Sequence, residues 1–197
     1  MTDIQVFDKI IPQGYAEAIR EDLYRTPFPW YYISDVTGSG YGSNSGLTHV
    51  AYDLGKPPSE WLPFIKPLVY SITEAAGHEL VELLRIRVGF LGPTSTEQEH
   101  NAPHLDFTMP HYTACYYVCD SDGDTVIFDQ TAKDMPPQEL TESNLREYVQ
   151  NTSFTVARSV SPKMGRVCVF DGLRFHASSF PKHHERRLVI TVNYVGK

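Results

Sequence analysis

The chain has 197 residues, of which 41% are hydrophobic and 21% charged, as is usual for a soluble globular protein. This length predicts a single domain over residues 1–197 with a substantial core. The formal net charge of −7 argues against a surface that coats nucleic acid, because such surfaces need clustered Lys and Arg.

Cysteine use and hydropathy predict a cytoplasmic protein without membrane contact. The three cysteines, Cys115, Cys119 and Cys168, include no Cys-x-x-Cys pair, and their odd number argues against a disulfide framework. Cys115 and Cys119 are either metal ligands or, more simply, small buried strand residues. The first residues do not combine a basic region with an apolar run, and no apolar stretch reaches membrane-spanning length.

Patterns in the first quarter of the chain predict a helix, a strand and a loop. Apolar residues at helical spacing predict a helix over residues 12–25. Aromatic and β-branched residues predict a strand over residues 30–36. The glycine-rich stretch 37–45 predicts a loop, which is either an exposed connection or a lid over a pocket with Tyr41 at its tip.

A second helix is predicted between Ser59, which caps its start, and Gly77, which ends it. Pro67 should kink this helix or delay its true start, because proline lacks the backbone N–H that a helix interior needs. The wide apolar face of the helix should pack on a sheet. After this helix, the sequence predicts a long strand over residues 79–91.

The remainder of the chain is dominated by short strand patterns and turn residues. Strands are predicted at residues 111–119, 125–128, 153–160, 166–170, 175–178 and 186–195. A polar excursion over residues 132–151 contains one short helical pattern near 145–149. Helices followed by many short strands predict an α+β fold: a double-stranded β-helix, or jelly-roll and cupin-like barrel, with supporting N-terminal helices.

His104 and Asp106 form a His-x-Asp pair just ahead of the first of these strands. Residues two apart on a strand point to the same face, so an imidazole and a carboxylate would lie side by side. His176 follows the strand at residues 166–170, and a closed barrel brings such distant residues together. Two imidazoles and one carboxylate form the facial triad of non-haem Fe(II) oxygenases, with three octahedral positions left open.

Other histidines leave alternatives open. His111 begins a strand and is either a replacement for His176 as the third ligand or a polar edge residue. His100, His183 and His184 lie in polar runs that are typical of solvated turns. A single His-x-Asp is a weak signal in a chain with eight histidines, so the triad depends on the rest of the pattern.

The last predicted strand offers a cation for an acidic co-substrate. Arg187 shares a face with the polar residues Thr191 and Asn193, whereas Arg186 shares one with apolar residues. The polar face should line the cavity, so Arg187 is preferred for bidentate capture of a carboxylate; ordinary strand-end charges are the alternative. By the same alternation, Tyr117 either points its hydroxyl into the barrel or is a core residue.

Together these residues resemble the Fe(II)/2-oxoglutarate-dependent oxygenases, specifically the prolyl-4-hydroxylase-like branch. The resemblance runs from about residue 83 to residue 194, and the order and spacing of the whole set carry it. The matching pieces are His104-Leu105-Asp106, residues 113–118, 122–125 and 165–170, His176, and residues 187–192. Residues 116–124 are also similar to small members of this branch from phages and bacteria.

The resemblance implies an iron site made of His104, Asp106 and His176. It implies a 2-oxoglutarate site made of Arg187 for the distal carboxylate, Tyr117 as a hydrogen-bond partner and Thr191 as a support. The charges of Fe(II), Asp106, 2-oxoglutarate and Arg187 would then sum to zero.

The implied reaction is hydroxylation of an unidentified prime substrate while 2-oxoglutarate and O2 become succinate and CO2, with ascorbate as an accessory reductant. The substrate is a peptide, an amino acid or a small metabolite rather than nucleic acid. Two other classes fit the same triad: a zinc-dependent hydrolase and a non-catalytic cupin-like barrel that binds a metabolite.

Overall fold

The computed structural model describes residues 4–25, 27–37, 44–95, 97–135 and 140–197. The α-helices in these residues are α1 (Gln13–Tyr24), α2 (Leu62–Ala76) and α3 (Glu142–Asn151), and a 3-10 turn covers Ala132–Asp134. The strands are β1 (Gln5–Asp8), β2 (Tyr31–Ile33), β3 (Gly46–Asp53), β4 (Leu80–Leu91), β5 (Tyr112–Tyr117), β6 (Thr125–Thr131), β7 (Val156–Val160), β8 (Arg166–Asp171), β9 (Arg174–Ser178) and β10 (Arg187–Gly196).

The strands form two antiparallel sheets that face each other. The large sheet has the order β1-β8-β5-β10-β4-β3-β2, and the small sheet has the order β7-β6-β9. Between them lies an apolar cluster that includes Cys115, Tyr117 and Val189 from the large sheet and Ile127 and Val160 from the small one. This arrangement confirms the predicted α+β class and the double-stranded β-helix.

Helices α1 and α2 cover the outer face of the large sheet. Apolar residues at helical spacing, Ile19 in α1 and Ile65 and Ile72 in α2, are fully buried. They belong to one core cluster with Leu188 and Ile190 of β10. The alternate residues of β10 are thereby left for the barrel interior. Within the described residues, no helix has both the length and the apolar character needed to cross a bilayer.

The end of α2 follows the predicted signal, but its start does not: the N-cap is Trp61 rather than Ser59, and no side chain caps the helix. The Ser59 hydroxyl accepts a hydrogen bond of 3.2 Å from the backbone N–H of Trp61, the residue that precedes the helix. Gly77 ends the helix with a φ of 72°, a left-handed conformation that glycine adopts without steric cost. Pro67 does not delay the start of the helix; it lies inside it.

Several parts of the fold differ from the sequence prediction. The strand predicted over residues 30–36 is only Tyr31–Ile33, and β1 and β3 were not predicted. β1 has only four residues, and β3 has a register shift between Val50 and Tyr52 that breaks its period of two. Most of the proposed lid loop, residues 38–43 with Tyr41, lies outside the described residues.

Replacing Ile72 with Ala should lower the free energy of unfolding by about 2–5 kcal/mol, because it leaves a cavity where α2 meets the sheet. Tyr70, two positions earlier on α2, is 52% exposed, and Tyr70→Ala should change this free energy by no more than about 0.5 kcal/mol. Urea denaturation followed by circular dichroism measures both. Equal losses in the two variants would contradict the packing of α2 on the large sheet.

Candidate metal centre

His104, Asp106 and His176 come together inside the barrel. One ligand atom from each residue lies within 4.8 Å of the others. The two histidine rings have centroids 4.5 Å apart, and Asp106 Oδ2 lies 3.7 Å from His176 Nε2. These separations suit a single metal ion, whose ligands lie about 2.0–2.2 Å away.

Backbone pairing holds the two histidines in place. His104 and His176 exchange backbone hydrogen bonds of 3.0 and 3.1 Å, which join the His104 segment to β9. The sequence prediction that His104 and Asp106 share a strand is wrong, because His104 forms only an isolated bridge and Asp106 lies in a bend. Leu105 nevertheless turns away from the site and packs in a separate apolar cluster.

The histidine tautomers suit metal binding. Nδ1 of His104 lies 3.3 Å from the Ala102 carbonyl, and Nδ1 of His176 lies 3.3 Å from the Arg174 carbonyl. Since a carbonyl only accepts, each Nδ1 donates and each Nε2 keeps a lone pair for a metal. Burial lowers the pKa of His104 to about 3 and also lowers the pKa of His176, so both imidazoles are neutral near pH 7.

Asp106 stays ionised because of its neighbours. Burial alone would raise its pKa, but Arg85, His176 and His104 bring the pKa below its usual value. Arg85 forms an ion pair with Asp106 Oδ1. Asn193 donates to Asp106 Oδ2 at 2.9 Å and accepts from Arg85 Nε at 3.2 Å. The carboxylate is therefore both charged and fixed in orientation.

Arg187 and Arg186 have different surroundings. Arg187 is 7% exposed, lines the cavity, and donates from Nε to the Gly123 carbonyl at 2.7 Å and from Nη2 to Thr125 Oγ1 at 2.8 Å. Gly123 allows this approach, since a Cβ there would lie 3.0 Å from Arg187 Cδ. Arg186 instead pairs with Glu185 at the surface.

Tyr117 and Thr191, the other predicted co-substrate ligands, have different positions. Thr191 lines the cavity. Tyr117 is fully buried and is not among the described residues that line the cavity. Its hydroxyl donates a hydrogen bond of 2.7 Å to Thr125 Oγ1. Burial raises the pKa of Tyr117, so the phenol remains a donor. Thr125, which the sequence prediction missed, is thus the link between Tyr117 and the cavity.

The alternative ligands lie outside the triad. His111 is buried, and both of its ring nitrogens have partners: Nδ1 lies 2.8 Å from the Met109 carbonyl and Nε2 lies 3.2 Å from Thr113 Oγ1. The His100 ring packs edge-on against Phe128. Among the described residues, the cluster that can hold a metal contains none of the cysteines.

Two cavity arginines, Arg85 and Arg87, were missed by the sequence prediction. Both lie on β4, opposite Asn193 and Thr191 of β10, and both line the cavity. The available signal was their i, i+2 spacing in a mostly apolar strand, which puts both on one face. The neutral charge sum expected for the loaded site is therefore wrong, because it omitted two positive charges.

Asn193→Ala should reduce affinity for a divalent metal by about 10–100-fold, because Asp106 loses the amide that orients it. Calorimetric titration with Ni(II) measures this affinity. Asn151→Ala is the matched control, since Asn151 is exposed and its side-chain amide donates to the Glu147 carbonyl of α3, away from the cavity. An Asn193→Ala affinity equal to that of the wild type would contradict this role.

No known protein-family model matches the sequence, and no curated protein matches it. Solved structures match by fold. A prolyl-4-hydroxylase from Pseudomonas putida has a TM-score of 0.59 at 12% identity, with 99% of this chain and 94% of that chain covered. A 2OG-Fe(II) oxygenase family oxidoreductase from Burkholderia pseudomallei has a TM-score of 0.60 at 14% identity, with 98% and 84% covered.

A third match carries a metal and a co-substrate. HygX from Streptomyces hygroscopicus, solved with nickel and 2-oxoglutarate bound, has a TM-score of 0.60 at 16% identity, with 98% of this chain and 83% of that chain covered. Identities this low establish architecture and not activity. The chain has the fold of these solved Fe(II)/2-oxoglutarate oxygenases, a prolyl-4-hydroxylase among them.

Proposed function

We propose that this protein is an Fe(II)- and 2-oxoglutarate-dependent dioxygenase, with residues 1–197 as one catalytic domain. It hydroxylates a prime substrate while 2-oxoglutarate and O2 become succinate and CO2. The observation that carries the proposal is the meeting of His104, Asp106 and His176 with the buried guanidinium of Arg187 in one cavity. The cysteine pattern supports a cytoplasmic location.

The donor set fits Fe(II). Two neutral imidazoles and one carboxylate on one side of a metal leave the opposite positions free for other ligands. Bound Fe(II), with 2-oxoglutarate and O2, supplies the oxidising chemistry, and ascorbate serves as an accessory reductant. The task of His104, Asp106 and His176 is to hold the metal in one place, and the task of Arg85 and Asn193 is to keep the carboxylate oriented.

Arg187 is the reason to favour 2-oxoglutarate as the co-substrate. Its guanidinium is buried, and its hydrogen-bond acceptors are the neutral Gly123 carbonyl and Thr125 hydroxyl. None of the ion pairs among the described residues includes it. A buried cation without a counter-ion is costly, so a carboxylate that enters the cavity would offset that cost. In a zinc hydrolase, or in a barrel that binds a neutral metabolite, the buried Arg187 would have no carboxylate to bind.

The fold itself does not select the prime substrate. A prolyl hydroxylase of this fold binds a peptide fragment, and HygX binds hygromycin B. A peptide, an amino acid and a small metabolite therefore all remain within the proposal.

Anaerobic addition of Fe(II) and 2-oxoglutarate should produce a visible metal-to-ligand charge-transfer band, and later exposure to O2 should release succinate. His176→Ala should abolish the band, because it removes a metal ligand. His183→Ala should leave the band unchanged, because His183 lies at the exposed surface. Absorption spectroscopy compares the band in the three proteins. Absence of the band in the wild-type protein would contradict the proposal.

Arg187→Gln should raise the KM for 2-oxoglutarate by at least about tenfold, because a charge-assisted pair with a carboxylate is lost. Arg186→Gln is the matched control; it removes the adjacent arginine, which pairs with Glu185, and should leave this KM near the wild-type value. Succinate release at varied 2-oxoglutarate gives both constants. The opposite ranking of the two variants would assign the co-substrate to Arg186.

A further inference from the structure

The cavity carries more positive charge than the proposed reaction needs. Its charged lining residues in the described chain, histidines aside, are Arg85, Arg87, Arg187 and Asp106. Arg85 is paired with Asp106. Arg187 is the proposed partner of 2-oxoglutarate. Arg87 therefore has no assigned partner in the loaded site.

Arg87 is held in place by neutral groups. Its Nε donates to Thr48 Oγ1 at 3.1 Å, and its Nη2 donates to the Val36 carbonyl at 2.7 Å. No carboxylate in the described part of the chain forms an ion pair with it; Asp35 and Asp106 act on it only through space. The guanidinium is therefore oriented by two hydrogen bonds while its charge is not neutralised by contact.

The sum of the formal charges in the cavity indicates the sign of the charge on a further ligand. Fe(II) and 2-oxoglutarate carry opposite double charges and cancel each other. The three arginines less Asp106 leave two positive charges at the loaded site. Burial lowers the pKa of Arg87, which is the sign of a charged group that is poorly solvated. A further anion is the ligand that offsets this charge.

Arg87 and Arg187 lie at different levels of the barrel. Arg187 is opposite Leu91 in the β4–β10 pair, whereas Arg87 is opposite Thr191. Four residues along a strand correspond to roughly 13 Å of backbone. The contacts of Arg87 lie on the β3 side, at Thr48 and Val36, and those of Arg187 lie at Gly123 and Thr125.

We infer that the prime substrate carries an acid group, a carboxylate or a phosphate, which pairs with the free edge of the Arg87 guanidinium. The inference rests on the proposed function, because that function assigns Arg187 to 2-oxoglutarate. A planar guanidinium with a free edge is suited to bidentate recognition of either acid. The acid group anchors the substrate on the β3 side of the metal.

Direct binding is the first test. Inorganic phosphate and acetate, as separate arms, are titrated into the protein loaded with Ni(II) and 2-oxoglutarate, and calorimetry measures affinity. The wild type should bind at least one anion, and Arg87→Gln should weaken that binding by at least about tenfold. Arg146→Gln, an exchange of an α3 surface arginine, should bind as the wild type does. Wild-type protein that binds neither anion overturns the inference.

Turnover is the second test. Succinate release is screened with amino acids and short peptides as free acids and as the matching amides, with a parallel arm of phosphorylated compounds. Where a compound is turned over, the wild-type enzyme should use its free acid with a kcat/KM at least about tenfold higher than that of the matching amide. The same ratio is expected for a phosphorylated compound over its dephosphorylated form. Arg87→Gln should bring this ratio close to one. Equal use of charged and neutral forms by the wild type overturns the inference.

Two variants separate charge from structure. Thr48→Val removes the partner of Nε but keeps the charge, so it should keep the acid preference. Arg87→Lys should keep part of it, and serves as the test if Arg87→Gln does not fold. Loss of the preference in Thr48→Val to the same extent as in Arg87→Gln would mean that Arg87 only ties strands together, and would overturn the inference.

The outcome also separates this inference from the proposed function. If Arg87→Gln raises the KM for 2-oxoglutarate and leaves the acid preference intact, Arg87 serves the co-substrate and the inference fails while the dioxygenase proposal stands. If Fe(II) and 2-oxoglutarate produce no charge-transfer band, the dioxygenase proposal fails. Titration of phosphate into metal-free wild-type protein and metal-free Arg87→Gln then tests the role of Arg87 by itself. A phosphate affinity about tenfold lower in the variant supports an anion site at Arg87. Equal phosphate affinity overturns the inference.

Discussion

Strand β10 lies at the centre of the large sheet and pairs with both β4 and β5. Its alternation determines what each face of the sheet can contact. One set of residues, which includes Leu188 and Ile190, belongs to the core beneath the helices. The other set brings Arg187 and Thr191 to the cavity and Asn193 to the candidate metal ligand Asp106. A shift of one residue would exchange the two sets, so the helix layer and the site depend on the same register.

The cavity is organised by charge as much as by shape. Asp106 is held by Arg85 and Asn193, so the carboxylate of the candidate metal centre is oriented by the protein itself. Among the described residues, the hydrogen-bond acceptors of the Arg187 and Arg87 guanidiniums are all neutral. The one carboxylate of the cavity is paired with an arginine, whereas two further arginines are not paired with an acid. This distribution of charge fits the proposal that the cavity binds an acidic co-substrate and an acidic substrate.

Alternation and spacing were sufficient to predict the fold class, and the candidate residues His104, Asp106, His176, Arg187 and Thr191 do line one cavity. The shared strand assumed for His104 and Asp106 was wrong, and Tyr117 is not among the lining residues. The long apolar patterns of α2 and β4 were readable because tertiary packing agrees with them. Arg85 and Arg87 were not singled out, because a charge in a strand becomes informative only when its partner across the barrel is known. The bulge in β3 and the bend at Asp106 have no period, so they were beyond a pattern-based prediction.

An anaerobic crystal structure with Fe(II) and 2-oxoglutarate, with anomalous data at the iron edge, would locate both the metal and the co-substrate. We expect one iron peak bound by Nε2 of His104, Nε2 of His176 and Oδ2 of Asp106, and 2-oxoglutarate with its distal carboxylate on Arg187. An iron peak elsewhere, or a distal carboxylate on Arg87 with Arg187 still bonded only to Gly123 and Thr125, would contradict this expectation.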